Sequence, residues 1–526
     1  MLHDLISAIS SQWTGQEDTR RLSILIAVAC LALTLALAQS KKTKQRLLRE
    51  VHVVGGSKKS AIVQNRKRFF KDSKNMLIEG YKNAPNDFYY VPTALGERLM
   101  IPTKFMHELK TAPMDQVDFV GTFIEMFEGK YTTLGSRSRL HARVVKAQLN
   151  QNLDGVMVGI QDEIIDAFKD SFPACDDWTE VPVVDRITQI VARVSSCMFG
   201  GTTLSRNDEW VQASINFAHD SFIAAQTLKK FPEFLKPVVA RFIPALQNIK
   251  KSYAAAEKAA IPLLEKRSRT GESALDLLYW MSEQATGKEK DNKFLASILL
   301  VVSFAAIHTS AAAPSQLIYD LCEHPEYIAP LREEYRKVIG PDGKIDKKGF
   351  IQMPLMDSIM KESQRFNPLL LITFERIITV DWTLSNGVVI PANTTIGVPT
   401  NAISMDPNLY SEPEKFDPWR FASIRRADPA QEGKAQFVSS NPASMAFGYG
   451  QHACPGRFFA AQEIKAIMVY LLENYDMKFA PGQKRPESLQ FETQYLPDPT
   501  AKVLFKRLYT YFTIVATYNI VLYKPD

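Results

Sequence analysis

The chain has few cysteines and no marked excess of either charge. Its five cysteines are widely spaced among 526 residues, which argues against a disulfide framework and indicates reducing surroundings. The 63 basic residues nearly balance the 57 acidic ones, so the composition indicates no nucleic-acid partner. No internal repeat or long low-complexity segment is present. Hydrophobic residues make up 46% of the sequence, which is enough for a large core.

Long apolar runs are confined to two places, and the first lies near the amino terminus. Residues 22–38 are apolar or small apart from one Ser and one Thr, and as a helix they span roughly 26 Å, near the lower limit for crossing a bilayer. Four basic residues follow at 41–46, which places the bulk of the chain on the cytoplasmic side. We therefore predict that 1–21 is lumenal, 22–38 a transmembrane anchor and 39–50 a basic linker. A cleaved signal peptide is the alternative, because 36–38 resembles a cleavage site.

Cys454 is the one cysteine whose surroundings indicate chemistry. It lies in the glycine-rich stretch 447–460, Phe-Gly-Tyr-Gly-Gln-His-Ala-Cys-Pro-Gly-Arg-Phe-Phe-Ala. Pro455 suits the first turn of a helix, and apolar residues recur at helical spacing from Phe458 to Leu472. A thiolate at a helix start is stabilised by unpaired backbone N–H groups and by the positive end of the dipole. Such a loop can hold a thiolate against a metal, whereas a buried inert thiol is the ordinary alternative.

This stretch resembles the haem-binding loop of the cytochrome P450 family, which reads Phe, Gly, any, Gly, any, His or Arg, any, Cys, any, Gly. The resemblance implies that Cys454 is the axial thiolate ligand of the iron of heme b. It also implies that Phe447 packs on the thiolate side of the porphyrin and that His452 faces a haem propionate. The implied fold class is mainly α with small β-sheets (α+β), a cytochrome P450 fold behind a single N-terminal transmembrane helix. Residues 51–526 would form one haem-thiolate catalytic domain.

The second apolar run, residues 295–313, carries a cluster of polar side chains. A helix that is apolar on nearly every side is either transmembrane or buried in a large domain, and the polar cluster at 305–310 favours burial. The resembled family has two small residues, an acid and a Thr at this point of its central helix. Thr309 matches that Thr, whose hydroxyl can hydrogen-bond toward dioxygen. His308 replaces the acid, and it is either a proton relay or a merely hydrogen-bonded side chain.

Further residues match the family upstream of the cysteine loop. Glu362 and Arg365 lie three residues apart on one helical face, and Arg420 follows in the motif Phe-Asp-Pro-Trp-Arg-Phe. The resemblance predicts a buried network in which Glu362 pairs with both arginines and holds the cysteine loop in place. It also implies that Arg376 binds a haem propionate and that residues 370–372 are walls of the substrate cavity.

Three other segments carry local patterns. Residues 137–153 read as a basic helix in which His141 and Lys146 are candidate propionate partners, with a solvated charged face as the alternative. This segment lacks the Trp of the corresponding family helix, so the family's roles are not transferred to it. Residues 88–101 read as two short strands around a glycine turn, and residues 382–390 read as a hairpin around Asn-Gly.

Together these features resemble a microsomal cytochrome P450 monooxygenase, in particular the fungal members that oxidise terpenoids and other secondary metabolites. The resemblance implies an endoplasmic reticulum membrane protein whose cytoplasmic domain inserts one oxygen atom from O2 into an apolar small molecule. NADPH-cytochrome P450 reductase is the implied electron donor, with cytochrome b5 as an optional second one. The enzymatic alternative is a haem-thiolate isomerase or dehydratase that needs no reductase. The alternative of another class is a non-enzymatic multi-span membrane protein that uses residues 22–38 and 295–313 as spans.

Overall fold

The computed structural model describes residues 51–508. The predicted lumenal segment, transmembrane helix and basic linker, at 1–21, 22–38 and 39–50, lie outside the described residues. The Tyr-rich carboxy-terminal tail from residue 509 also lies outside them. The fold below is therefore that of the predicted catalytic domain.

Helices form most of the described chain. In chain order the α-helices are α1 Lys59–Asn83, α2 Met106–Leu109, α3 Phe119–Met126, α4 Gly129–Thr132, α5 Leu140–Val144, α6 Leu153–Ser171, α7 Val183–Gly200, α8 Thr202–Ser205, α9 Asp208–Leu228, α10 Lys236–Val239, α11 Pro244–Thr270, α12 Leu277–Gln284, α13 Asn292–Glu323, α14 Ile328–Arg336, α15 Lys347–Ile351, α16 Pro354–Phe366, α17 Thr400–Ser404, α18 Arg420–Ala427, α19 Glu432–Ala435 and α20 Arg457–Asn474. A π-helix, Val145–Leu149, continues α5 directly. The predicted basic helix at 137–153 was therefore wrong in its bounds, because helical structure begins at Leu140 and changes type after one turn.

The strands are short and form small sheets. They are β1 His52–Val53, β2 Tyr89–Thr93, β3 Gly96–Met100, β4 Val117–Asp118, β5 Thr179–Pro182, β6 Thr373–Ile378, β7 Trp382–Thr383, β8 Val389–Ile390, β9 Thr394–Val398, β10 Tyr475–Lys478, β11 Leu489–Phe491, β12 Gln494–Leu496 and β13 Lys502–Arg507. Within residues 51–508 the largest sheet has the order β1-β2-β3-β9-β6-β4, and a second has the order β10-β13-β5. The pairs β11-β12 and β7-β8 stand as separate hairpins.

Both predicted strand pairs are present. β2 and β3 pair antiparallel with Thr93 opposite Gly96, whose φ of 116° is a conformation that glycine adopts without strain. β7 and β8 form the hairpin around Asn-Gly, in which the Gly387 N–H donates to the carbonyl of Leu384 at 2.8 Å. The large sheet brings β3, β6 and β9 side by side. It therefore places Arg98 and Arg376, which are far apart in the sequence, on neighbouring parts of one layer.

The central helix α13 is 32 residues long and packs against α7, α9, α11, α16 and α20. By length and composition α13 qualifies as a possible membrane span, and 50% of its apolar window is buried within the protein. Leu299, Leu300 and Ile307 are 0% exposed, and these five helices of the domain pack against α13. This packing favours the predicted buried central helix over a second transmembrane span.

The helix after the cysteine loop, α20, crosses the core. Its periodic apolar side chains are all buried, as the sequence predicts: Phe459, Ile464, Ile467, Met468, Leu471 and Leu472. They pack against α6, α13 and α14, so the start of the helix is fixed relative to the whole helical layer. α20 begins at Arg457, with Gly456 at its N-cap. Pro455 therefore lies just before the first turn, and its predicted place within that turn was wrong by two residues.

The predicted Glu362 network is present behind the cysteine loop. Arg365 donates to Glu362 through Nη2 at 2.8 Å and through Nε at 2.9 Å, and Arg420 Nε lies 3.2 Å from both carboxylate oxygens. Glu362 is 0% exposed. The arginines also donate to backbone carbonyls of Ser404 and Ser411. The network thus ties α16 to the end of α17 and to the segment before α18. The predicted pairing is confirmed, whereas support of the cysteine loop by this network stays a prediction.

Candidate active site

The loop before α20 is a tight turn that carries Cys454. The Cys454 N–H donates to the carbonyl of Phe447 at 2.7 Å, which closes the turn. Gly450 has a φ of 74°, and a Cβ added to it would lie 2.5 Å from the Cβ of Lys110. A side chain at this position would therefore collide with the segment that follows α2 as well as strain the backbone.

The start of α20 directs backbone donors at the sulfur of Cys454. Burial raises the pKa of the Cys454 thiol, while N–H groups of Gly456 and Arg457 and the Arg457 charge act in the opposite direction. These donors suit a thiolate, but a bound cation is needed to outweigh the cost of burial. Phe447 packs edge-on against Phe437, with ring centroids 5.3 Å apart. The cysteine is therefore held beside an aromatic, poorly hydrated surface.

Arg376 is a buried cation that forms no salt bridge with an acid within residues 51–508. It lies on β6, is 3% exposed, and donates through Nη1 to the carbonyl of Glu375 at 2.6 Å. Its guanidinium lies over the rings of Phe119 and Phe374, at 4.6 and 4.3 Å from their centroids. Burial lowers the pKa of Arg376 to about 9. A guanidinium so poorly compensated fits an anionic group that the described chain does not supply.

His452 lies beside Arg376 and has an unpaired ring nitrogen. Among residues 51–508 nothing accepts from or donates to its buried Nε2. Its ring centroid lies 4.9 Å from that of Phe119, the same ring that Arg376 covers. Burial, followed by the charges of Arg376 and Arg139, lowers the pKa of His452 to about 4, so the ring is neutral. Arg376, which has no acidic partner among residues 51–508, and the unpaired Nε2 of His452 therefore contact the same ring beside the cysteine loop. Together they suit a carboxylate such as a propionate.

Thr309 lies in a row of exposed side chains on the otherwise interior helix α13. Ala305 and Thr309 are exposed, whereas Ser303, Ile307 and Ser310 are buried. Because at least five helices pack against α13, we infer that this row faces a cavity inside the domain. Thr309 Oγ1 donates to the carbonyl of Ala305 at 2.6 Å, so its lone pairs remain available as acceptors. The small side chain of Ala305 leaves room in front of this hydroxyl.

His308 and Thr309 point in different directions. His308 Nε2 lies 3.0 Å from the carbonyl of Ile215 on α9, whereas Thr309 faces the cavity. Burial lowers the pKa of His308, and the charge of His219 lowers it further. A neutral ring that bonds a backbone carbonyl favours the simpler of the two interpretations, a hydrogen-bonded tie between α9 and α13. The relay role stays a prediction.

Of the three side chains that were predicted to line the substrate cavity, only one is exposed. Leu370 is 38% exposed, whereas Leu371 and Ile372 are buried in the small core beneath the large sheet. Residues 371 and 372 form a bend before β6, and Leu371 donates its N–H to the carbonyl of Thr493 at 2.7 Å, which holds this bend at the tip of the β11–β12 hairpin. The prediction for Leu371 and Ile372 was therefore wrong, and Leu370 remains a candidate contact.

Comparison with known proteins settles the family. A family model described as Cytochrome P450 matches residues 104–505. The chain belongs to the cytochrome P450 family. Cytochrome P450 monooxygenase braC of Annulohypoxylon truncatum is 35% identical over 451 residues, which cover 84% of this chain and 90% of the relative. Cytochrome P450 monooxygenase olcJ of Penicillium canescens is 33% identical over 509 residues, covering 95% and 96%. Ent-kaurene oxidase P450-4 of Gibberella fujikuroi is 32% identical over 449 residues, covering 84% and 89%.

The predicted family and the predicted enzyme class, a P450 monooxygenase, are thus confirmed. The fold class is confirmed for the described residues, which are mainly helical with small sheets. P450 proteins are haem-thiolate proteins, in which a cysteine binds the iron. The Cys454 loop, the uncompensated guanidinium of Arg376 and the unpaired nitrogen of His452 fit such a group. The roles of these individual residues in this P450 remain predictions.

The structure also adds residues that the sequence did not single out. Phe119 packs against both Arg376 and His452, although nothing in its sequence surroundings marks it. Asn150 Nδ2 donates to the carbonyl of Pro455 at 3.4 Å, which fastens the π-helix to the cysteine loop. Of the two candidates in this segment, Lys146 is exposed. The other, His141, has a buried Nδ1 without a hydrogen-bond partner in the described chain, and burial lowers its pKa.

Proposed function

We propose that this P450 holds heme b through the Cys454 thiolate and inserts one oxygen atom from O2 into an apolar small molecule. The observation that carries the proposal is the convergence of a helix-start cysteine with two buried nitrogen groups, on Arg376 and His452, that have no carboxylate partner within the described residues. When bound, the haem supplies the activation of dioxygen. The chain supplies the ligand, the orientation and a dry cavity.

Each residue has a separate task in this proposal. Cys454 binds the iron, and Phe447 packs against the porphyrin on the cysteine side. Arg376 and His452 orient the porphyrin by binding a propionate, because a charge-assisted hydrogen bond is both stronger and more directional than a neutral one. The aromatic ring of Phe119 keeps water away from both nitrogen groups. Loss of any one of these contacts should therefore loosen the cofactor before it unfolds the chain.

Thr309 is the proposed proton-holding group on the opposite side of the cavity. Its hydroxyl is exposed to the cavity and bonded to its own helix, so it can rotate to accept or donate without moving the backbone. His308 is the second candidate. Its bond to the carbonyl of Ile215 gives it a positioning task first, which is to hold α9 over α13. Proton relay through His308 would require that bond to open.

The proposed substrate class is a terpenoid or another apolar secondary-metabolite intermediate. Phe304 of α13 packs against the buried rings of Phe127 and Phe217, at 5.0 and 6.2 Å centroid to centroid. The exposed side chains of Ala305 and Leu370 are apolar, which suits a hydrocarbon skeleton. One relative is named an ent-kaurene oxidase, which supports the terpenoid proposal.

NADPH-cytochrome P450 reductase is the proposed electron donor, with cytochrome b5 as a second one. The helical segment from α5 to the π-helix packs beside the cysteine loop through Asn150. It exposes Arg139, Arg143 and Lys146 to solvent. A basic surface close to the proposed iron ligand suits an acidic electron-transfer partner, because complementary charge speeds association.

We propose an endoplasmic reticulum location with residues 22–38 as the anchor and residues 51–526 as one cytoplasmic domain. The segment around α10 supports a second contact with the bilayer. Phe234 and Phe242 are each 78% exposed and Val238 is 55% exposed. Neighbouring exposed apolar side chains of this kind are typical of a surface that meets lipid or another protein.

The reduced carbon monoxide difference spectrum tests the proposed haem site. The full chain and its Cys322→Ala variant, which removes another buried cysteine, should both show the thiolate-type band. Cys454→Ala should not show it. A thiolate-type band that survives in Cys454→Ala would refute the proposal. Dependence of product formation on NADPH and reductase then separates the monooxygenase from an isomerase or dehydratase.

A further inference from the structure

Two charged side chains away from the haem site have a buried polar atom that no residue of the described chain pairs. Lys229 follows the end of α9, and Glu492 lies at the tip of the β11–β12 hairpin. Lys229 Nζ and Glu492 Oε1 are both buried without a hydrogen-bond partner in the part of the chain that the structure describes. Glu492 is 9% exposed and has a φ of 50°, a backbone conformation that is uncommon for a residue with a side chain and is often found at functional sites.

The other charges nearby are already paired. They form the following ion pairs: Arg98 with Glu375 at 3.3 Å and with Glu125 at 3.6 Å, and Lys236 with Glu128 at 2.7 Å. Burial lowers the pKa of Lys229, and Glu492 exerts the largest opposing effect. Glu492 is thus the opposite charge that acts most strongly on Lys229, although no salt bridge joins the two within residues 51–508. Two desolvated opposite charges in this state are costly unless a third group satisfies both.

Both charges lie on elements that enclose the cavity. The exposed Leu370 bridges to Gln494 on the hairpin, so the hairpin tip adjoins the candidate cavity wall. Phe222 of α9 packs against Phe491 with ring centroids 5.1 Å apart, which brings the end of α9 to the same tip. The paired charges around Lys229 include Glu125, near the end of α3 opposite to Phe119. Glu125 itself lies roughly 9 Å along α3 from Phe119, the ring at the proposed propionate site.

We propose that a hydroxyl group of the substrate bridges Lys229 and Glu492, accepting a hydrogen bond from the ammonium and donating one to the carboxylate. This inference rests on the proposed function, since the cavity is that of the same monooxygenase. A hydroxyl is both donor and acceptor. A carboxylate has no proton to donate to Glu492, and an ammonium cannot accept from Lys229. A neutral group that uses both partners is therefore the best match to two opposite, unpaired charges.

The proposal gives this P450 a place in a reaction sequence. Its substrate arrives with oxygen already attached to an otherwise apolar skeleton, so a reaction that introduces or unmasks a hydroxyl must precede it. Because Lys229 and Glu492 lie at the end of α9 and on the hairpin tip and not on the elements that hold the Cys454 loop, the hydroxyl fixes an end of the substrate other than the one that is oxidised. The carbon that is oxidised is then determined by its distance, along the substrate, from the bound hydroxyl group.

Calorimetric titration of the full-length, haem-loaded protein with a matched probe series tests the proposal. The probes are lauryl alcohol, lauryl methyl ether, laurate and laurylamine, which share a chain and differ in the head group. The alcohol should bind about tenfold or more tightly than the ether, because the ether cannot donate to a charged acceptor. Laurate and laurylamine should bind no better than the ether. Lys229→Met and Glu492→Met should each remove most of the preference for the alcohol.

The exposed neighbours provide matched controls. Lys230→Met and Glu487→Gln change charges that are exposed to solvent, and both should keep the wild-type preference. Equal binding of alcohol and ether, or tighter binding of laurate, would overturn the proposal in favour of a bridging water or a carboxylate site. The carbon monoxide spectrum of each protein is recorded first. A missing thiolate band counts against the proposed haem site, whereas an intact band without alcohol preference counts against the hydroxyl site alone.

Discussion

Glu362→Gln should destabilise the folded protein by about 3–5 kcal/mol, the usual cost of removing one partner from a buried ion network. Glu362 is 0% exposed and pairs with both Arg365 and Arg420. Gln keeps the shape but leaves two buried guanidinium groups without a counter-charge. Since a domain is stable by only about 5–15 kcal/mol, the urea midpoint should fall markedly. Because the network holds the segment that leads to the cysteine loop, the carbon monoxide band should be lost at the same urea concentration.

Glu412→Gln is the matched control for this experiment. Glu412 also pairs with a cation three residues away, Lys415 at 3.7 Å, but its side chain is 72% exposed. Exposed pairs contribute about 0–1 kcal/mol, so this midpoint should stay near the wild-type value. The assay is urea unfolding of the full chain, followed in parallel by tryptophan fluorescence and by the carbon monoxide band. If the free energy of unfolding of Glu362→Gln lies within about 1 kcal/mol of that of Glu412→Gln, the buried network does not support the loop.

Three further predictions concern the cavity and the core. Thr309→Ala should raise peroxide release per NADPH consumed and slow product formation about tenfold or more, whereas Thr309→Ser should stay close to wild type; equal coupling in all three would contradict the assigned role. Arg376→Leu should speed haem transfer to an acceptor protein about tenfold, yet leave the apoprotein at least as stable in urea, because a poorly compensated buried charge is removed. Glu463 is 0% exposed and accepts from Ser195 at 2.8 Å, and burial raises its pKa from 4.5 to about 7. Between pH 4.5 and about 7 the folded state therefore binds more protons than the unfolded state. The free energy of unfolding should fall by up to about 3 kcal/mol as the pH rises through this range. In Glu463→Gln the free energy of unfolding should depend less on pH over the same range.

The cofactor side of the molecule was predictable because its residues lie in short, continuous motifs. The turn that holds Cys454 and the helix that follows it occupy one stretch, so glycine placement and apolar periodicity are enough to locate both. Glu362 and Arg365 share one helical turn, which makes their pairing visible from spacing alone. Arg420 required the family resemblance, because nothing local shows that it returns to Glu362 across 58 positions. The structure confirmed each of these contacts.

Other predictions were wrong where local pattern and tertiary packing disagree. The basic segment at 137–153 has helical periodicity, but its first residues are not helical and its end widens into a π-helix against the cysteine loop. Leu371 and Ile372 are as apolar as Leu370, yet the bend that they form before β6 places both in the small core. Phe119 lies in a Phe-rich run where every ring looks alike. Its selection for the site depends on β4 pairing with β6, a long-range contact with no signal in the sequence.

The substrate side shows why recognition of a family stops short of a substrate. Lys229 and Glu492 are 263 positions apart, and each looks like an ordinary surface charge in the sequence. Only the fold shows that the acids and bases around them are paired with one another and that these two are left over. Because Lys229 and Glu492 are buried where the dielectric constant is low, it is costly for them to lack a hydrogen-bond partner. An apolar cavity with one donor and one acceptor left unsatisfied therefore selects a substrate with one polar group at a set distance from the site of oxidation. This pair of polar groups, at the end of α9 and on the hairpin, is what distinguishes the proposed cavity from a simple hydrocarbon pocket.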